Sequence, residues 1–93
     1  MASVKVVLPS ALQRLTGGKG EVQLEASTLR DALEKLAEDF GEDLRRRLFD
    51  HDGNANRLLN FYINGRNAKF SGLLDAELKD GAIIAVLPAV SGG

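Results

Sequence analysis

The sequence predicts an α+β domain in which one main helix covers a sheet of four to five strands. Two short segments near the start each show the period of two that is typical of a strand with one buried face: in 4–8 Val4, Val6 and Leu8 recur at every second place, and in 21–25 apolar residues alternate with polar ones. Residues 29–40 carry one apolar stripe at helical spacing, and residues 81–87 form an apolar strand. Because neither a hairpin nor an amphipathic helix can bury its apolar side alone, we expect the helix to pack on the sheet.

Composition limits the chain to one domain without thiol chemistry. Its 93 residues can build one core but not two. With 12 basic and 13 acidic residues, the chain has no overall attraction to nucleic acid or to an anionic membrane. Cysteine is absent, and no apolar run approaches the ~18 residues of a membrane span. We therefore expect a cytoplasmic protein with no nucleic-acid and no membrane partner.

The first two strands are expected to form a hairpin. Val4, Val6 and Leu8 share one face of the first strand, and Pro9 closes it because proline has no N–H for a sheet. The connection to the second strand, 10–20, can hold a helical turn before its glycines.

The main helix has a start signal, an apolar stripe and a stop signal. Thr28 can cap its first turn, Asp31 can bind the free N–H groups there, and Gly41 is the expected end. Six apolar side chains recur along one face: Leu29, Ala32, Leu33, Leu36, Ala37 and Phe40.

The middle of the chain offers two candidate sites that the spacing argues against. A shorter helix over 42–49, with Leu44 and Leu48 on one face, carries Arg45–Arg47, but acidic residues lie nearby and a solvated face is favoured. The loop 50–56 has oxygen-bearing residues at alternate positions, yet it lacks the glycine and glutamate of a calcium loop, and the chain has one histidine. No metal site is expected.

The last third of the chain predicts a second hairpin and a final strand. Residues 59–63 alternate as a strand, and Asn64–Gly65 is a strong type I′ turn signal that predicts a return strand over 67–70. The run 81–87 is unbroken in its apolar character and is interpreted as a buried strand. Pro88 is expected to end it and to direct the chain away from the sheet.

The chain ends on two glycines. A Gly-Gly end leaves the terminal carboxylate on a thread without Cβ atoms, which can pass through a channel too narrow for side chains. The alternative interpretation is a frayed terminus or a cloning remnant, since chain ends are commonly disordered.

This order of elements, closed by Leu87–Gly93, resembles the MoaD/ThiS family of ubiquitin-like sulfur carriers over the whole chain. Further points of resemblance are the Asp80–Gly81 turn before the last strand and the Phe70–Gly72 segment before that turn. The longer middle, with Arg47–Phe49 and Phe61–Asn64, is more similar to the CysO-type carriers of cysteine biosynthesis than to the shortest members. The resemblance implies a β-grasp (ubiquitin-like) fold, whose first and last strands are parallel neighbours at the centre of the sheet.

The resemblance also implies the chemistry of the tail, 88–93, which follows a folded domain over 1–87. An E1-like enzyme uses ATP and Mg²⁺ to adenylate the C-terminal carboxylate, and a sulfur donor then displaces AMP to leave a thiocarboxylate. That group would be on Gly93. Gly92, which has no side chain, would keep the chain narrow and extend the carboxylate away from the domain. The carrier itself catalyses nothing and binds no cofactor or metal. Because the sequence ends on Gly93, no proteolytic trimming is expected before activation.

The same resemblance assigns the two faces of the last strand. The family pattern keeps large aliphatic residues at the places of Ile84 and Val86, which are therefore expected in the core. The outward set is then apolar, and such a patch is typical of an interface. We expect the E1-like enzyme to bind this set and the tail that follows it, namely Ile83, Ala85, Leu87, Pro88, Ala89, Val90 and Ser91.

Four functions stay open at this point. The first is a carrier that donates sulfur to a cysteine synthase type of enzyme, or in related sulfur-metabolite biosynthesis. The second is the small subunit of molybdopterin synthase, whose tail would enter the large subunit. The third is a ubiquitin-like modifier joined through Gly93 to lysines of other proteins. The fourth is a noncovalent β-grasp binding module whose tail takes no part.

Overall fold

The computed structural model describes residues 1–89, and within them it has five strands in one sheet. The strands are β1 (Ala2–Val7), β2 (Glu21–Ala26), β3 (Leu59–Ile63), β4 (Arg66–Asn67) and β5 (Ile83–Pro88). The α-helices are α1 (Ser10–Gln13), α2 (Leu29–Phe40) and α3 (Glu42–Leu48). Short 3₁₀ helices occupy Arg14–Thr16, Ala68–Ser71 and Leu73–Asp75. No helix in the described part of the chain is long and apolar enough to cross a membrane.

The sheet is mixed, and its strand order is β2-β1-β5-β3-β4. β1 and β5 run parallel, with Val6 opposite Ile84, while the other neighbouring strands are antiparallel. The predicted first hairpin is present, with β1 paired to β2 along six residues. The parallel pairing of the first and last strands, which the resemblance implied, is also confirmed. The last strand, β5, is therefore the central strand of the sheet and lies beside the first strand, β1.

The main helix, α2, forms as its sequence signals predict. The Thr28 hydroxyl accepts a hydrogen bond from the Asp31 N–H at 3.2 Å, and the Asp31 carboxylate accepts one from the Ser27 N–H at 3.0 Å. Together they satisfy N–H groups that a helix start leaves free. At the other end, Gly41 has φ of 108°, a conformation that side-chain-bearing residues rarely adopt. The helix therefore begins and ends where the sequence predicts.

The core lies between α2 and one face of the sheet. Five of the six stripe residues of α2 are buried, and Phe40 at its end is half-buried. Full burial of a leucine side chain contributes roughly 1.5–3 kcal/mol to the free energy of unfolding, so the leucines of this stripe are a main source of stability. The largest fully buried side chains are Phe61, Leu29, Leu33, Leu36, Leu44, Leu48, Ile84, Val4, Val6, Val86 and Thr16.

The second hairpin differs from its prediction in the length of the return strand. Asn64 and Gly65 have φ of 51° and 84°, as a type I′ turn requires, but β4 spans only Arg66–Asn67. The prediction of a strand over 67–70 is therefore wrong. The Asn67 side chain accepts a hydrogen bond from the Lys69 N–H at 3.0 Å, and this local bond turns the backbone into a 3₁₀ helix.

The last strand also differs from its prediction. The interpretation of its apolar run as a strand buried along its length is wrong, because Ile83 and Leu87 are 45% and 46% exposed. The helices cover only one face of the sheet at β5, so burial alternates along the strand. β5 also includes Pro88, one residue beyond the predicted end, since Pro88 still lies opposite Leu59 of β3.

Candidate functional site

The end of β5 brings the tail out beside the start of β3. Pro88 lies opposite Leu59, and the Ala89 N–H donates a hydrogen bond to the Leu58 carbonyl at 2.8 Å. The chain is thus held to the sheet through Ala89, which is half-buried, while Pro88 is exposed. The remaining predicted site residues, Val90, Ser91, Gly92 and Gly93, lie outside the residues that the structure describes.

The sheet face opposite α2 brings together the outward residues of β5. We call it the open face, and its centre consists of Ile83, Ala85 and Leu87 with their neighbours Val7 and Tyr62. Residues directly opposite each other in paired strands share a face, and Val7 and Tyr62 both lie opposite Ala85. Ile83 and Leu87 are exposed, and the other three side chains are half-buried. The predicted division of β5 into two faces is confirmed, since Ile84 and Val86 are 0% and 1% exposed.

Polar and charged residues border the open face. On one side Lys5 lies opposite Ile83, and its ammonium is 3.7 Å from the carboxylate of Glu21 on β2. On the other side Asn60 of β3 lies opposite Leu87. An apolar centre with a polar border is the composition of many protein interfaces. The apolar centre of the open face could therefore be buried against a partner. The polar side chains at its border remain in contact with water in the free protein.

The cluster Arg45–Arg47, in which the sequence predicted no site, has a structural role for its first member. Arg45 donates hydrogen bonds from one guanidinium nitrogen to both oxygens of Glu34, at 2.9 and 3.0 Å, and Glu42 lies 3.6 Å away. The hydrogen bond to Glu34 raises the pKa of Arg45, and burial opposes that change more weakly. This ion pair links α3 to α2, and the guanidinium of Arg45 is engaged in contacts within the domain.

The loop that resembled a calcium site is closed by its own hydrogen bonds. One carboxylate oxygen of Asp50 accepts the backbone N–H groups of Asp52 and Asn54, both at 2.9 Å. This is the geometry of an Asx turn, and it gives the Asp50 carboxylate a role within the loop. Within residues 1–89, no group of three His, Cys, Asp or Glu side chains is arranged to hold a metal ion.

A cavity beside the tail exit was missed by the sequence analysis. It has a volume of about 360 Å³ and lies next to Ala89, with Arg57 and Lys69 among its lining residues. None of its ten lining residues is acidic. A sequence signal for it exists, because residues 53–74 contain three basic residues and no acidic one. The spacing of apolar residues, which identifies strands, gives no information about this excess of basic residues.

Comparison with known proteins decides the family. Residues 6–93 match the model of the ThiS family. The chain belongs to the ThiS family. The MoaD/ThiS resemblance of the tail, the Asp80–Gly81 turn and the element order is thereby confirmed, and the match extends through both terminal glycines.

Similar proteins include named sulfur carriers and a modifier. The chain is 33% identical over 93 residues to the sulfur carrier protein CysO of Mycobacterium tuberculosis, covering 98% of this chain and 99% of CysO. The crystal structure of the Amycolatopsis orientalis BexX/CysO complex has a similar chain, with a TM-score of 0.84, 32% identity, and coverage of 97% and 99%. The small archaeal modifier protein SAMP1 of Methanosarcina acetivorans is similar with a TM-score of 0.87, 31% identity, and coverage of 100% and 98%.

These similarities confirm the fold and the general class of this ThiS-family chain. The five-stranded mixed sheet with its covering helix is the β-grasp fold of the CysO and SAMP1 structures. The similarity to CysO agrees with the CysO-type resemblance of the middle segment. CysO is named a sulfur carrier protein, and the BexX/CysO complex is a case in which one relative binds a partner protein.

Proposed function

We propose that this chain is a sulfur carrier whose Gly93 carboxylate is activated by an E1-like enzyme. A carboxylate oxygen of Gly93 would attack the α-phosphorus of ATP, and pyrophosphate would leave, so that an acyl adenylate remains. A hydrosulfide equivalent then adds to the carbonyl carbon and AMP leaves, which yields the thiocarboxylate. ATP and Mg²⁺ belong to the enzyme, and the carrier is a substrate. The observation that carries the proposal is the family match through residues 92 and 93.

In the proposed adenylation, the reacting group is the terminal carboxylate, and the active site belongs to another protein. A carboxylate is a poor electrophile, and adenylation gives it a good leaving group. The two glycines have no side chains, so the terminal carbonyl can enter a narrow active site in another protein. The hydrogen bond from the Ala89 N–H to the Leu58 carbonyl holds the chain to the sheet as far as Ala89. Because activation consumes ATP, we place the carrier in the cytoplasm.

We propose that the open face positions the E1-like enzyme for this reaction. Ile83 and Leu87 offer exposed apolar area on the same strand that delivers the tail. A partner that covers them is guided along β5 towards Gly93. Contacts to Ala85, Pro88 and Ala89 would continue this interface, and Val90 and Ser91 would give the enzyme side chains to hold.

For the sulfur acceptor, we propose an enzyme of the cysteine synthase type, in cysteine or related sulfur-metabolite biosynthesis. The support is the full-length similarity to CysO, which is named a sulfur carrier. The large subunit of molybdopterin synthase is the alternative acceptor. A gene for either acceptor beside the gene for this chain distinguishes the two.

A second candidate function is conjugation of Gly93 to lysines of other proteins. It is favoured by the similarity to SAMP1, which is named a small modifier protein. Both functions begin with the same acyl adenylate and differ in whether sulfur or an amine displaces AMP. Immunoblots of the host that show high-mass adducts, absent when Gly93 is deleted, support conjugation.

ATP–pyrophosphate exchange tests the proposed activation. The E1-like enzyme of the same organism is mixed with ATP, labelled pyrophosphate and either this chain or a variant lacking Gly93. We expect exchange with the complete chain and none with the variant. Equal exchange with both chains contradicts the proposal, because the reacting carboxylate would then not be that of Gly93.

A further inference from the structure

We propose that the E1-like enzyme docks with an acidic side chain in the cavity beside Ala89, where its carboxylate pairs with Arg57 and Lys69. The identity of this partner rests on the proposed function, and the contact adds the chemistry that the partner presents. The occupant is an aspartate or glutamate of the enzyme, on a segment with apolar neighbours. The contact serves docking alone, so no covalent bond is made or broken in it.

The cavity places two cations beside apolar walls. Its volume is about 360 Å³, and the half-buried side chains of Leu59 and Leu73 line it. Arg57 and Lys69 also line it, and both are exposed. A guanidinium can bind a carboxylate through two parallel hydrogen bonds, whereas an ammonium acts as a point charge. This composition fits a carboxylate carried on a short aliphatic stem.

The charges of this cavity are uncompensated within the described residues. Neither Arg57 nor Lys69 forms an ion pair with an acidic side chain of residues 1–89, whereas two lysines and one arginine elsewhere in the domain do. Three other cavities each have at least one acidic lining residue. Because the cavity beside Ala89 has none among its ten, a partner is the source of the balancing negative charge.

The two cations have exposed apolar neighbours in the chain. Leu58 follows Arg57 and is 64% exposed, and Phe70 follows Lys69 and is 81% exposed. Three other large hydrophobic side chains of residues 1–89 are exposed, and two of them lie on the open face. Clustered apolar exposure is typical of an interface, and aromatic and arginine side chains are enriched there. The docking segment of the enzyme should therefore carry apolar residues beside its carboxylate.

The cavity adjoins the open face, so one partner can cover both. Asn60 lines the cavity and also lies opposite Leu87 at the border of the open face. Ala89, which lines the cavity too, directly follows the last residue of β5. An enzyme bound to the open face therefore extends over the cavity in the same binding mode.

A protein carboxylate fits this site better than a nucleic-acid phosphate. Nucleic-acid binding relies on several phosphate contacts along a basic surface, whereas this cavity has two cations. Residues 53–74 carry a charge of +3 in a chain of net charge −1, so the remainder carries −4 (−1 minus +3). That remainder repels a long polyanion but leaves room for one or two carboxylates.

Isothermal titration of the full chain into the E1-like enzyme of the same organism tests the proposal. Wild type is compared with Arg57→Gln, Lys69→Gln and the matched control Arg66→Gln, which removes one charge from the same basic segment but lies outside the cavity lining. Thermal melts check that all four proteins are folded. A single-stranded oligonucleotide, titrated into the same proteins, is the probe for nucleic acid.

We expect the two cavity variants to bind the enzyme more weakly than the wild type and the control. At low salt Arg57→Gln should lose about tenfold in affinity, equivalent to about 1.4 kcal/mol, because it loses a paired guanidinium. Lys69→Gln should lose about threefold, since it removes a point charge. Both losses should shrink as salt is raised, because salt screens exposed charges. Arg66→Gln should bind like the wild type.

Four outcomes overturn the proposal. Affinities of Arg57→Gln and Lys69→Gln that equal the wild-type value show that no carboxylate binds there. Equal weakening by Arg66→Gln and Arg57→Gln shows a diffuse charge effect without a site. Oligonucleotide binding that is lost in Arg57→Gln assigns the cavity to nucleic acid instead. An enzyme that does not bind the wild type brings no carboxylate to the cavity.

Pyrophosphate exchange separates a failure of this proposal from a failure of the proposed function. Normal exchange, with an affinity that is unchanged in Arg57→Gln, overturns the docking contact and leaves activation by the enzyme in place. Absent exchange, with binding that still depends on Arg57, overturns activation and leaves the docking contact in place.

Discussion

Leu87 and Val86 are neighbours on the last strand, yet Leu87 is 46% exposed and Val86 is 1% exposed. Val86 lies opposite Phe61 in the core, and Leu87 lies opposite Asn60 on the open face. The alternation of a strand thus gives β5 two roles. One set of side chains packs in the core beneath α2, and the other set lies on the open face.

Replacing Leu87 by aspartate should weaken binding of the E1-like enzyme and leave the domain folded. The change removes apolar contact area from the open face and adds a charge there, and loss of a central apolar contact typically costs about 1 kcal/mol or more. The stability of the domain should change little, because the Leu87 side chain is already exposed to water in the free protein. Isothermal titration with the enzyme measures the first effect, and a thermal melt measures the second.

The matched control is Val86→Asp, one residue away. It places a charge among apolar side chains, so we expect strong destabilisation or failure to fold. If Leu87→Asp unfolds the domain and Val86→Asp leaves it intact, the assignment of the two faces is inverted. Enzyme affinity that is unchanged by Leu87→Asp moves the docking surface elsewhere.

Leu33→Ala and Leu36→Ala should each destabilise the domain by roughly 2–5 kcal/mol, the usual cost of truncating a buried leucine to leave a cavity. Both side chains are 0% exposed on the stripe of α2. Urea unfolding followed by circular dichroism gives the free energy of unfolding. A stability within error of the wild type for both variants means that the stripe does not face the core.

Thr28→Ala should cost about 1 kcal/mol, because it removes the hydroxyl that accepts the Asp31 N–H at the start of α2. Thr28→Ser keeps that hydroxyl and is the control. Both variants are compared with the wild type by urea unfolding. Equal stabilities for the alanine and serine variants would mean that this cap contributes nothing.

Bulk at Gly92 should abolish activation without affecting the fold. Under the proposed function Gly92 enters the active site of the enzyme, so Gly92→Trp would put a large side chain in that path, and Gly92→Ala is the graded control. We expect Gly92 to make few contacts with the core, so the stability of both variants should stay within about 0.5 kcal/mol of the wild type. Pyrophosphate exchange measures activation. Full exchange by Gly92→Trp contradicts the requirement for a slim tail.

Local patterns predicted the elements whose cause is local. The stripe, the Thr28 cap and Gly41 determine α2 within one stretch of chain, and the structure agrees with each. Asn64 and Gly65 likewise predicted the turn between β3 and β4. The parallel pairing of β1 and β5 joins the two ends of the domain, so periodicity could not predict it and the family resemblance did.

The errors have physical causes as well. The predicted return strand is too long because the hydrogen bond from Lys69 to the Asn67 side chain competes with strand pairing, and apolar spacing does not reveal that bond. The run 81–87 looks buried from its composition, which does not show that helices cover only one face. The cavity beside Ala89 was missed because Arg57 and Lys69 are distant in sequence from the tail.

The intact mass of the protein isolated from its own host tests the central claim most directly. Replacement of one carboxylate oxygen by sulfur at Gly93 changes the mass by the difference between the two atoms. The chain has no cysteine that could hold the sulfur instead. We predict a population with this increase that disappears when Gly93 is deleted. A mass that stays at the unmodified value, with the activating enzyme and sulfur donor present, contradicts the assignment as a sulfur carrier.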